Sequence, residues 1–244
     1  VDALLAHGTT SAVVFPTVHK VSVDALFEAA AAHGMRLIAG KVLMDRHAPQ
    51  ALRDDVDSAE RDCEELIARW HGQQRLCYAV TPRFAPSSSD AQLAMAGRLL
   101  ARHAGLYMQT HVAENRAEVR WAAELFPAAR SYLDVYERHG LLTERAVLAH
   151  AVWIDAADRA LLHQRGAAMG FEDVFDENQK QIRRFFGAHV GRKALLNARL
   201  FNAAKGRVGQ DHVHPVGWGV VAQRAAQGVV VADIGRHVDA VQDH

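Results

Sequence analysis

The chain has 244 residues, half of them hydrophobic, and its 28 Lys plus Arg are balanced by 28 Asp plus Glu. That length and composition suffice to bury a sizeable core, in one large domain or two small ones. The charge balance argues against electrostatic capture of nucleic acid or of an anionic membrane, so small-molecule substrates and protein partners are expected instead.

No apolar run approaches the length of a membrane span, and the opening "VDALLAHG" has neither a basic leader region nor a small-residue cleavage site, so a cytoplasmic location is expected. The only two cysteines, Cys63 and Cys77, are too few for a disulfide framework and are expected buried and reduced.

In chain order, "SAVVF" (11–15), "RLIAGKV" (36–42), "RLCYAV" (75–80), "LYMQTH" (106–111) and "AVLAH" (146–150) read as buried strands. Helical patterns separate them. Ser22 is expected to cap one helix that Gly34 stops, and Ser89 with Gln92 forms a capping box ahead of Leu93, Ala96 and Leu100. After His111, the residues Val119, Ala122, Ala123 and Phe126 recur at helical spacing until Pro127. Continuous apolar strands alternating with helices imply parallel β-α units, in a barrel or an open doubly wound sheet. Past residue 170 the alternation fades. One helix is expected near Arg192 to Ala204 and one further strand in "GVVVADIG", so residues 1–170 are read as one unit and 171–244 as a tail of different character.

In a parallel α/β barrel, ligands bind where the carboxyl ends of the strands and their loops converge. His111 and His150 end two successive strands and are placed to offer imidazole to one metal ion, with Glu114 in the following loop within reach of water there. Arg83 and Phe84 follow a third strand in "TPRFAP". Spacing alone leaves open that both histidines are ordinary hydrogen-bonded strand ends. His19 in "TVHK" and His47 in "DRHAP" are read as loop or supporting residues.

"GTTSAVVFPTVHK", "GKVLMDRHAP", "TPRFAPSSS", "QTHVAENRAEV", "ELFPAARSYLDVYERHGLL" and "VLAHAVW" together resemble the bacterial guanine deaminases of the amidohydrolase superfamily, from residue 1 to about residue 169. The resemblance implies an α/β fold, a partial, distorted TIM-type barrel with an irregular C-terminal tail. It implies zinc as cofactor, guanine as substrate and hydrolysis to xanthine and ammonia, and it carries the family's dimeric habit over as a homodimer expectation. His111 and His150 are similar to the metal-binding histidines of the fifth and sixth barrel strands, Glu114 to the proton-shuttling carboxylate, and Arg83 with Phe84 to the purine-recognition pair. Other zinc deaminases of nucleobases or triazines share the metal residues.

The family's first-strand H-x-H pair and eighth-strand aspartate have no counterpart in the sequence, so a truncated or rearranged enzyme, or a non-catalytic remnant that binds a partner, is the expectation at that point. A barrel lacking two strands is expected to leave two open edges. His212 and His214 in "DHVHP" have H-x-H spacing, but 15 histidines in 244 positions give about one such pair by chance, and their Gly- and Pro-rich flanks read as loop.

Overall fold

The computed structural model describes residues 1–172, 218–221 and 229–233. Its elements in order are α1 (Asp2–Ala6), β1 (Ser11–Phe15), α2 (Lys20–Ala32), β2 (Arg36–Ala39), β3 (Val42–Leu43), α3 (Val56–Trp70), β4 (Leu76–Pro82), α4 (Asp90–Arg102), β5 (Tyr107–Val112), α5 (Arg116–Leu125), α6 (Tyr132–Arg138), β6 (Ala146–His150), α7 (Ala156–Arg165), β7 (Ala168–Glu172), β8 (Trp218–Val221) and β9 (Val229–Asp233). Short 3-10 turns cover Gln50–Leu52 and Ala85–Ser87.

Strands β1, β2, β4, β5, β6 and β7 pair in parallel, with β3 a short parallel addition to β4. This is the partial α/β barrel that the resemblance implies, where the alternation alone left an open doubly wound sheet as well. Its two edges, expected open, are both paired: β9 runs parallel to β1, β8 runs antiparallel to β7, and β8 and β9 form an antiparallel pair between them. Pairing removes the unsatisfied backbone groups that a bare edge presents. The strand expected in "GVVVADIG" is β9. The helix expected near 192–204 and the pair His212 and His214 lie outside the described residues.

Period-two alternation sorts each strand between two cores. Outward residues such as Val14, Leu37, Tyr78, Val80, Met108 and Leu148 pack under the helices in the larger cluster, while Val13, Phe15, Ile38, Ala79, Tyr107 and Val147 fill the barrel interior. Cys63 is buried on the inner face of α3, whereas Cys77, expected buried, is half-buried, packed against the interior cluster by its strand parity.

The expected strand 36–42 is interrupted at Gly40 and Lys41. There the backbone of β4 comes so close that a Cβ on Gly40 would stand 1.7 Å from the Ala79 carbonyl oxygen, a place only glycine occupies. Lys41, almost wholly buried, pairs with Asp54, whose carboxyl burial pushes above the usual carboxylate range.

Helix ends follow local chemistry with two departures from expectation. Helix α2 starts at Lys20, ahead of Ser22, whose hydroxyl instead donates to the His19 carbonyl at 2.8 Å. Ser89 does cap α4, accepting from the Gln92 N–H at 3.1 Å, but the reciprocal arm comes from Asp45, which accepts from the Ser89 N–H at 2.7 Å, while the Gln92 side chain is buried. No helix among the described residues is long and apolar enough to cross a membrane.

Candidate active site

The alternation along β5 brings the first candidate inward. Tyr107 lines the barrel interior; Gln109 donates to the Val14 carbonyl at 2.8 Å and to Thr81 Oγ1 at 3.1 Å; and His111 continues the same face to the strand's end. Its ring lies 4.4 Å from that of Phe15, another interior residue. The His111 backbone N–H and ring Nδ1 both bond to the Arg83 carbonyl oxygen, at 3.0 and 2.8 Å. Because a carbonyl only accepts, the proton sits on Nδ1, and the lone pair is left on Nε2, the arrangement a metal-ligating histidine requires.

His150 reaches the same place by a different route. On β6 the interior residue is Val147 and Leu148 faces the helices, so simple alternation would send residue 150 outward. The chain turns left-handed there instead, with φ of +68° at His150 and +49° at Ala151. Ala113, in the loop after β5, is also left-handed at +51°, and its carbonyl accepts from the N–H groups of Val152 and Trp153 at 3.1 and 3.0 Å. The two strand-end loops are thus stitched together through strained residues, each costing on the order of 1 kcal/mol or more. The result is a His111–His150 ring separation of 5.5 Å at 30°, with His150 Nε2 3.6 Å from Glu114 Oε2.

Glu114 precedes Asn115, whose side chain caps α5 by accepting from the Glu118 N–H at 2.9 Å. The cap fixes where the helix begins and so fixes the loop that carries Glu114. Of the apolar face expected on α5, Ala122 and Phe126 are buried, Val119 is partly buried, and Ala123 is exposed.

Arg83 continues the interior parity of Cys77, Ala79 and Thr81 one step beyond β4 and is exposed at the barrel mouth. Its guanidinium lies 3.8 Å from Met44 Sδ and 5.5 Å from the Phe84 ring centre. Phe84, half-buried, bridges to His111 through a parallel backbone pairing and packs edge-on to Trp121 at 5.9 Å. His47 is apart from the histidine pair: its Nδ1 bonds the Pro86 carbonyl at 2.7 Å and its ring meets Trp121 at 5.0 Å. His19 is exposed at the start of α2, its N–H bonded to Thr17 Oγ1. Both take loop positions.

The sequence reading missed Trp121, which buttresses Phe84 from α5. The signal available was a tryptophan inside the charged stretch "EVRWAAE", on a helix that starts at the candidate site.

A family model described as the Amidohydrolase family matches residues 1–208. The chain belongs to the Amidohydrolase family. Among amidohydrolase relatives, the guanine deaminase of Escherichia coli (strain K12) is 47% identical over 171 residues, covering 70% of this chain and 39% of the relative. A solved structure of E. coli guanine deaminase superimposes with a TM-score of 0.67 at 48% identity, over 67% of this chain and 39% of that one. A guanine deaminase from C. acetobutylicum with guanine bound in its active site gives a TM-score of 0.66 at 28% identity, over 69% of this chain and 40% of that one. The chain therefore spans about two fifths of the length of these guanine deaminases.

Proposed function

We propose that this amidohydrolase chain carries the zinc- and guanine-binding part of a guanine deaminase, which hydrolyses guanine to xanthine and ammonia. The observation that supports this reading most is the meeting of His111 and His150 at one mouth, 5.5 Å apart, beside Glu114 and under the Arg83–Phe84 loop. The similarity to a guanine deaminase with bound guanine supports the choice of substrate.

The donor set fits zinc in kind: imidazoles from two strand ends, one with its ring oriented by a carbonyl. Among the described residues no group of three such ligands gathers, so His111 and His150 would hold the ion together with a ligand from elsewhere. Zinc bound there supplies the Lewis acidity that lets water act as nucleophile near neutral pH. Glu114 would take one proton from the attacking water and pass it to the ring nitrogen, then take the second from the hydroxyl so added and pass it to the amine as the carbon–nitrogen bond breaks and ammonia leaves, work that one carboxylate performs first as base and then as acid. Arg83 offers its planar donor fork to acceptor atoms on guanine's edge, and Phe84, braced by Trp121, closes on the ring face.

The test is xanthine release from guanine by the full chain with zinc supplied. Glu114→Gln is expected to lower the rate by 10²- to 10⁴-fold, the usual worth of a positioned acid-base group. An equal rate in both would contradict the role given to Glu114. A second reading, a non-catalytic partner-binding chain of the same fold, is favoured by the absence of a third ligand among the described residues; it predicts a folded chain that holds no zinc.

A further inference from the structure

The Arg83–Ala85 loop and the end of β5 are joined through one side chain of α6. Tyr136 is completely buried. Its hydroxyl accepts from the Ala85 N–H at 2.8 Å and from Thr110 Oγ1 at 3.0 Å, and donates to the His111 carbonyl at 3.0 Å. A phenol has one proton and two lone pairs, so every hydrogen-bonding position of this oxygen is used. Two of the three partners belong to the proposed site: Ala85 follows Phe84, and the carbonyl belongs to the histidine that faces His150.

We propose that Tyr136 is a positioning residue: its hydroxyl sets the height of the Arg83–Phe84 loop above the His111–His150 pair and thereby the affinity for a planar purine base. The proposal rests on reading Arg83 and Phe84 as the guanine-recognition pair. The Tyr136 ring also stacks on Tyr132 at 5.9 Å, a packing contact that phenylalanine preserves, so Tyr136→Phe isolates the hydroxyl.

Two readouts on the full, zinc-supplied chain test this. Backbone amide exchange at Ala85 needs no ligand. Guanine binding is followed by tryptophan fluorescence, because Trp121 lies against Phe84. In the native chain the Ala85 amide exchanges as slowly as those of β5. In Tyr136→Phe it exchanges at least roughly tenfold faster, and the Kd for guanine rises roughly tenfold while zinc affinity changes less than about twofold. Tyr132→Phe leaves both readouts near native values. Fast exchange of Ala85 in the native chain, no change in Tyr136→Phe, or equal effects from Tyr132→Phe would each overturn the proposal. Absence of guanine binding by the native chain would overturn the reading of the loop as a guanine site, while the exchange arm still decides whether Tyr136 holds the loop.

Discussion

Two faces of the same sheet are built by opposite rules. Under α2, α3 and α4, fully buried Val23, Phe27, Leu66, Leu93 and Leu99 close on the outward residues of β1, β2 and β4. Burying each large side chain is worth roughly 1.5–3 kcal/mol, and close packing is what this face is for. At the carboxyl ends of β4, β5 and β6 the chain instead accepts left-handed residues at Ala113, His150 and Ala151 and spends its hydrogen bonds on aiming rings and a loop. The comparison teaches that stability and chemistry are separable here: the outer layer is sensitive to volume, and the mouth is sensitive to direction.

The largest expected effect breaks the packed face and spares the mouth. Gly40→Ala drives a methyl group into the Ala79 carbonyl, and overpacking against backbone has no flexible atom to yield. A loss of about 3 kcal/mol or more is expected, read as a fall in the urea midpoint; an unchanged midpoint would show that β2 and β4 are further apart than described. At the mouth the opposite pattern holds. Arg83→Ala, exposed and outside both cores, leaves the midpoint within about 0.5 kcal/mol of native but weakens guanine binding by roughly 10- to 100-fold. Unchanged guanine affinity would remove Arg83 from purine recognition and favour a different zinc deaminase.

The smallest effect sharpens the packed side by pH. Burial on the inner face of α3 pushes the Cys63 thiol from 9.0 up to about 11, so the folded chain keeps this proton after the unfolded chain has lost it. Stability from this source is therefore full below pH 9 and is lost as pH climbs from about 9 toward 11, by on the order of 2 kcal/mol. Urea midpoints between pH 8 and 10.5 should fall more steeply for the native chain than for Cys63→Ala, and parallel slopes would contradict it.

Much of this division was legible in the sequence. Apolar runs gave the five strands that carry or support the site, and a strand-end histidine followed by a capped helix marked His111 and Glu114. What escaped was non-local. Nothing in "RLIAGKV" announces that β4 presses on Gly40, and Ser22 looks like a cap because its real partners, His19 and Thr17, are visible only once the chain turns. Trp121 and Tyr136 sit on helices whose spacing reads as ordinary packing. Their bearing on Phe84 and Ala85 depends on contacts 37 and 51 residues away along the chain.

The role proposed for His111 and His150 is to supply two of the ligands of one zinc ion, completed by a ligand from elsewhere, and equilibrium dialysis of the full chain against buffered zinc tests it most directly. The account predicts about one tightly held zinc per chain, lost on His111→Ala and on His150→Ala with the urea midpoint little changed. A folded native chain that holds no zinc, or one that keeps its zinc when either histidine is removed, would contradict it.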